Sequence, residues 1–259
     1  MGFNIGEGCY IVPAKEMGGL QISIVIPAFN EAARIGRTLE KIKQHLGETS
    51  CNGEVLVVDD GSTDSTTEIV RKHGETWSAL RLIQNPANRG KGFSVRNGAL
   101  QACGEIILFT DADLSAPITE LPKLVNPIRE GLCDVTFGSR AIDRSLIGIH
   151  QSPFREYSGR IFNVFVQTIV GLPFKDTQCG FKAFRRASIL PVFERQTVMG
   201  FGFDPELLYI ARRRGLRLME IPVRWDNVEG TTVRFTKDSL RMFLDLGRIR
   251  WNDLVGKYR

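Results

Sequence analysis

Short apolar runs alternate with longer stretches of mixed polarity through the first half of the chain. Residues 22–26 (Ile-Ser-Ile-Val-Ile), 54–58 (Glu-Val-Leu-Val-Val), 80–84 (Leu-Arg-Leu-Ile-Gln) and 105–110 (Glu-Ile-Ile-Leu-Phe-Thr) are of strand length and rich in β-branched residues. Such runs predict strands buried on both faces. The segments between them predict helices near 31–46, from about Asp64 (an N-cap) and from about 90 to 103. Regular alternation of strand and helix predicts an α/β fold: a doubly wound, mostly parallel sheet with helices on both faces.

The second half is less regular. Residues 134–137 and 216–223 predict further strands, 153–169 and 204–214 predict helices, and 176–185 predicts a turn with a short strand. Residues 236–255 carry an apolar stripe with interspersed arginines, the pattern of an amphipathic helix. With no internal repeat or linker, the expected organisation is an N-terminal extension over 1–20, one α/β domain over 21–235 and a C-terminal amphipathic helix over 236–259. That helix is expected to pack on the domain or lie peripheral to it.

Ligands of doubly wound sheets bind beyond the carboxyl ends of the strands. Three polar clusters fall there: Asn30-Glu31 after the first strand, Asp59-Asp60 after the second and Asp111-Ala112-Asp113 after the fourth. Asp111 and Asp113 are two apart, so in extended chain they point the same way. They can offer oxygen ligands to one hard divalent cation, Mg²⁺ or Mn²⁺. One carboxylate of Asp59-Asp60 can accept from a base N–H or a ribose hydroxyl, with Gly61 turning the chain. Asn88-Arg89-Gly90-Lys91-Gly92 opens a helix, where exposed N–H groups and Lys91 can meet a diphosphate.

Composition narrows the picture only modestly. The 259 residues are 42% hydrophobic and 24% charged, with a formal charge of +5. These values fit an ordinary globular protein, and the mild basic excess suits a phosphorylated substrate or an anionic surface without choosing between them. Five scattered cysteines with no Cys-x-x-Cys pair read as reduced thiols, and three histidines make a His-rich metal site improbable. No apolar run reaches the roughly 20 residues of a membrane span. The first twenty residues lack a signal-peptide pattern, so a cytoplasmic protein is expected, with any membrane contact peripheral.

Taken in order, the motifs resemble family 2 glycosyltransferases. They are Pro27-Ala28-Phe29-Asn30-Glu31, Asp59-Asp60-Gly61-Ser62, the stretch at 88–92, Asp111-Ala112-Asp113 and Gly138-Ser139-Arg140. Within the family, the chain is most similar to polyprenyl-phosphate hexosyltransferases of the dolichyl-phosphate β-glucosyltransferase kind. Asp176-Thr177-Gln178-Cys179-Gly180-Phe181-Lys182, Phe203-Asp204-Pro205-Glu206, Ile221-Pro222-Val223-Arg224-Trp225 and Asp238-Ser239-Leu240-Arg241-Met242 support that narrower likeness. It spans about 22–250.

The resemblance implies a GT-A fold and an inverting transfer of a hexose, glucose from UDP-glucose, to a polyprenyl or dolichyl phosphate. It puts Pro27, Ala28, Asn30, Glu31, Asp59, Asp60, Lys91, Asp111 and Ala112 at the nucleotide sugar. Asp111 and Asp113 would hold the metal, with Asp113 taken as catalytic. Arg140, Arg155, Arg160, Lys182 and Arg234 would receive the acceptor phosphate. Lys182 stands where related mannosyltransferases carry Arg, and Gly230-Thr231-Thr232-Val233 replaces a common Gly-x-Ser-Lys, with Arg234 next. Expected partners are a UDP-sugar (alternatively a GDP-sugar), the lipid phosphate and a membrane surface, with no nucleic acid and with a homodimer compatible. The competing readings are a family 2 enzyme with a saccharide or other soluble acceptor, and a non-catalytic sugar-nucleotide-binding protein.

Overall fold

The computed structural model describes residues 21–228 and 235–259. A seven-stranded sheet forms its centre, in the order β3-β2-β1-β4-β7-β5-β8. The strands are β1 (Ile22–Ala28), β2 (Gly53–Asp59), β3 (Leu80–Gln84), β4 (Ile106–Thr110), β5 (Val135–Ser139), β7 (Phe181–Arg185) and β8 (Leu218–Pro222). Every residue of β1, β4 and β5 is buried, as expected for strands covered on both faces. The two covering layers bury separate apolar clusters. One lies around Ile24, Leu39, Val57 and Leu108, and the other around Val25, Phe109, Phe184 and Leu207.

Helices α1 (Ile35–Glu48), α2 (Thr66–Glu75) and α3 (Lys91–Gln101) connect the first four strands. The expected N-cap at Asp64 acts on α2 from just outside the helix, its Oδ1 accepting from Thr66 N at 3.0 Å. β1 pairs in parallel with β2 as far as Ala28, but its pairing with β4 ends at Val25. Pro27, which has no N–H to donate, sits where the β4 side of the ladder has already opened. The crevice of the fold lies at that opening.

β7 is the one antiparallel strand of this sheet, set between β4 and β5. Its start therefore meets the ends of its neighbours. Thr110 pairs with Phe181, and Asp111 N donates to Gly180 O at 3.1 Å. The 176–180 segment is thereby placed beside both the acidic motif and Arg140, which follows β5.

Helices α4 (Leu121–Arg129), α5 (Pro153–Phe165), α6 (Arg186–Arg195), α7 (Phe203–Arg213) and α8 (Phe235–Leu254) complete the chain, with a small parallel pair of β6 (Ile147–Ile149) and β9 (Trp225–Asp226). The sequence patterns do not anticipate α4, α6 or the β6/β9 pair. The predicted helix over 153–169 divides into α5 and a π-helical stretch, Val166–Val170. The expected extension over 1–20 lies outside the described residues.

Candidate active site

Four strand ends and two helix starts build the site. After β4, Thr38 Oγ1 donates to Ala112 O at 2.6 Å, and Leu114 adopts a left-handed φ of 49° that turns the chain sharply. Asp113 Oδ1 accepts from Ser115 N at 2.9 Å. Burial raises the Asp113 pKa, and the Asp111 carboxylate beside it pushes the same way. Asp111 lies against Gly180 so closely that an added Cβ there would stand 2.0 Å from its Oδ2. Only glycine leaves room for that carboxylate.

Lys91, the first residue of α3, reaches Asp111 Oδ1 at 2.6 Å. Burial opposes its charge, but Asp111, Asp204 and Asp113 outweigh burial and raise its pKa. Two neighbouring carboxylates that already draw a cation fit a hard divalent metal completed by water and phosphate oxygens. No cluster of three or more His, Cys, Asp or Glu side chains capable of holding a metal occurs among the described residues. The site therefore fits Mg²⁺ or Mn²⁺ shared with a substrate better than a closed structural metal.

The other end of the crevice is set by β1 and β2. Asn30 has φ 55°; its N–H donates to Ser62 Oγ and its Oδ1 accepts from Thr63 N, both at 2.9 Å. Glu31 is ion-paired with Arg34, and its N–H donates to Thr66 Oγ1 at 2.8 Å. The two aspartates after β2 differ sharply. Asp60 is filled by the protein itself, accepting from Asn85 Nδ2, Arg89 N and Gly90 N at 2.8–2.9 Å. Asp59 Oδ2 accepts from Gly61 N and Ser62 N, while its buried Oδ1 has no hydrogen-bond partner. A buried acceptor without a donor is costly. Asp59 is thus the member of the pair equipped to take a ligand N–H or O–H, whereas Asp60 shapes the turn carrying Lys91.

Arg140 Nε and Nη2 form a two-pronged pair with Asp176, at 2.6 and 2.9 Å, and the guanidinium lies 5.4 Å from the Trp225 ring centre. Burial works against the Asp176 charge, but Arg140 and backbone donors bring its pKa down to about 2. A folded-state pKa below the ordinary 3.8 stabilises the protein fully above about pH 4, and the gain vanishes as pH falls through 2. The difference corresponds to about 2 kcal/mol. Urea unfolding at pH 7 and 2.5 is therefore expected to show a shallower acid loss for Asp176→Asn than for the wild type. An unchanged acid loss in the variant would show that Asp176 does not carry it.

Beside Arg140, a cavity of about 440 Å³ runs between α5 and α8. Lys91, Arg140, Arg155, Gln178 and Asp204 supply polar lining, and Ile161, Phe162, Phe201, Met242 and Phe243 supply apolar lining. An adjoining cavity of about 110 Å³ is lined by Arg140, Arg144, Arg155, Arg160 and Lys175. Arg140 and Arg155 thus face both spaces, and Arg160 is exposed on the rim of the smaller one.

Lys182 is not available to a phosphate in this arrangement. It lies in β7 with its side chain fully buried, 2.7 Å from Asp204 Oδ1 and 2.5 Å from Cys179 O, and it lines neither cavity. Its part is to neutralise Asp204, whose pKa burial nevertheless raises. Arg234 lies outside the described residues. Gln178 and the anchoring roles of Asp176 and Gly180 escape sequence reasoning, because each depends on β7 running backwards beside β4, and Phe201 escapes it because the segment before α7 folds onto the start of α3.

The profile of Glycosyl transferase family 2 matches residues 23–192. Dolichyl-phosphate beta-glucosyltransferase of Saccharomyces cerevisiae is 36% identical over 256 residues, covering 92% of this chain and 76% of that protein. The Homo sapiens protein of the same name is 33% identical over 256 residues, covering 92% and 78%. In fold, the chain is similar to glucosyl-3-phosphoglycerate synthase from Mycobacterium tuberculosis crystallised with Mn²⁺, UDP-glucose and phosphoglyceric acid. The TM-score is 0.66 at 20% identity, over 90% of this chain and 80% of that one. That likeness shows a common GT-A architecture. The chain belongs to glycosyl transferase family 2, in the branch that holds the dolichyl-phosphate β-glucosyltransferases.

Proposed function

We propose that the protein transfers glucose from UDP-glucose to a polyprenyl or dolichyl phosphate at a membrane surface, inverting the anomeric centre. The observation that carries the lipid acceptor is the cavity between α5 and α8, which joins cationic side chains to an apolar lining. A lipid phosphate has that same division of character. The relatives named above support the choice of glucose and of a dolichol-type acceptor.

An oxygen of the acceptor phosphate attacks the anomeric carbon as the bond from that carbon to the UDP oxygen breaks. A phosphate monoester is largely ionised near neutral pH, its second pKa being about 6, so the attack needs little general-base help. Catalysis then rests on positioning and on charge at the leaving group. Arg140, fixed by Asp176, and Arg155 orient the acceptor phosphate. Asp59 receives the nucleoside through its unpartnered oxygen, and Lys91, held protonated, adds positive charge beside the diphosphate. Asp111 and Asp113 would hold the divalent cation, which when bound neutralises charge on the departing diphosphate.

Access to the lipid falls to two helix faces. On α5 and the stretch after it, Phe154, Tyr157, Ile161, Val164, Phe165 and Ile169 are substantially exposed. On α8, Leu246, Ile249 and Asn252 pack inward, while Leu240, Leu244, Trp251 and Leu254, continued by Val255 just after the helix, form an outward stripe. Phe243 touches both Phe162 and Phe165, so the two helices are neighbours. No helix among the described residues is long and apolar enough to cross a membrane. Two apolar faces with Arg241 and Arg248 alongside suit peripheral binding to an anionic bilayer. Co-sedimentation with anionic vesicles should weaken with salt and fall at least about fivefold in a Leu244→Glu/Trp251→Glu variant. Full binding by that variant would remove α8 from the membrane contact.

The reaction itself is tested by offering UDP- and GDP-sugars with polyprenyl phosphate or phosphoglycerate, plus Mg²⁺ or Mn²⁺, and weighing the products. Polyprenyl phosphate glucose from UDP-glucose supports the proposal; transfer only to a soluble acceptor overturns it.

A further inference from the structure

Glu206 is fully buried in the first turn of α7, and its carboxylate is crowded with donors. Thr197 donates its N–H at 3.0 Å and its hydroxyl at 2.6 Å, and Val198 donates its N–H at 2.8 Å. The remaining donor comes from the far end of the chain, Tyr258 Oη at 2.6 Å. Asn252 on α8 closes the group, donating to Thr197 Oγ1 at 2.8 Å and to Tyr258 Oη at 3.4 Å. Tyr258 and Asn252 are each 1% exposed. Glu206, Asn252 and Tyr258 line neither of the cavities that Lys91 lines.

What they hold does reach the Lys91 turn. The segment from Gln196 to Phe201 lies across the start of α3, with Phe93 N donating to Met199 O at 3.1 Å and Gln196 Nε2 donating to Gly92 O at 2.9 Å. The fit is close enough that a Cβ on Gly90 would stand 2.5 Å from Met199 O, and one on Gly92 2.8 Å from Val198 O. Lys91 lies between those two glycines, with Phe201 of the same segment 6.0 Å from its ammonium. The clamp therefore determines where the turn carrying Lys91 can sit.

We infer that Tyr258 and Asn252 are positioning residues for the nucleotide-sugar site: through Glu206 they lock the 197–201 segment onto the Lys91 turn. The inference rests on the reading of that crevice as the donor site. A buried carboxylate that loses one of several donors relaxes toward the others, so the segment, the Lys91 turn and the ammonium would shift together. The Arg140–Asp176 pair shares none of these hydrogen bonds and is left as it is; Lys91 and Phe201 also line the cavity between α5 and α8, so the acceptor side responds too, but less than the donor side.

The test uses the full chain, with UDP and Mn²⁺ binding measured by calorimetry beside steady-state kinetics at varied donor and acceptor. Tyr258→Phe is expected to weaken UDP binding and raise the donor KM about five- to twentyfold, with a severalfold smaller rise in the acceptor KM. Thr197→Val is expected to behave similarly, and Thr197→Ser, which keeps the hydroxyl, to restore wild-type values. If Tyr258→Phe does not fold, Asn252→Ala and the Thr197 pair carry the same comparison. Donor parameters unchanged in the folded variants, or donor and acceptor KM rising equally in step with a lowered Tm, would overturn the inference. Failure of the wild type to bind UDP at all would instead refute the donor-site reading on which it rests.

Discussion

Replacing Asp113 with alanine is expected to abolish glucosyl transfer while leaving the fold intact. Asp111 is positioned by Gly180 and by its own N–H bond to Gly180 O, independently of Asp113. Ala112, between them, is fixed by Thr38. Removing the Asp113 carboxylate also relieves like-charge repulsion in a partly buried place, so stability should hold or rise slightly. The loss falls on the transition state. Charge building on the leaving diphosphate would lack part of its compensation, costing several kcal/mol, or at least roughly 10²–10³-fold in kcat. Turnover under Mn²⁺ titration, with circular dichroism as a check on folding, measures this. Near-normal turnover in the variant, or full wild-type activity in EDTA, would contradict the assignment of the acidic pair.

The second large effect is expected at Arg140. Its alanine variant removes a rigid two-pronged cation from the wall between the two cavities and leaves Asp176 buried without its counter-charge. Breaking a buried pair from one side costs about 3–5 kcal/mol of stability. The double variant Arg140→Ala/Asp176→Asn avoids that stranded charge and is the better probe. It should lose at least about 10²-fold in kcat/KM for polyprenyl phosphate, while UDP affinity stays within a few-fold. Arg140→Lys should not restore activity fully, since an ammonium cannot span both Asp176 oxygens. Equal losses for donor and acceptor would move Arg140 out of the acceptor site.

Much of this arrangement is legible in the sequence because its donor half is local. The apolar runs at 22–26, 54–58 and 105–110 predict β1, β2 and β4, and a doubly wound sheet puts the polar residues after them in one crevice. What escapes depends on tertiary placement. The unanticipated helices α4 and α6 both carry proline: Pro122 opens α4 where no N–H is needed, and Pro127 and Pro191 are accommodated inside helices. Lys182 resembles a phosphate ligand in sequence, but its place in β7 turns it into the core toward Asp204. Asp59 and Asp60 look equivalent as neighbours; only the return of Asn85, Arg89 and Gly90 toward Asp60 separates their roles. The C-terminal stripe divides for a similar reason. One face of α8 is spent on Leu246 and Ile249 packing against the domain, and a second apolar face remains outside.

Glucosyl transfer to a lipid phosphate is tested most plainly by product analysis after incubating the full chain with UDP-glucose, dolichyl phosphate and Mn²⁺ in anionic vesicles. UDP and a dolichyl phosphate glucose with a β-anomeric linkage are expected, with none formed in EDTA. An α-linked product, or UDP release without glucosylated lipid, would contradict the proposed inverting transfer.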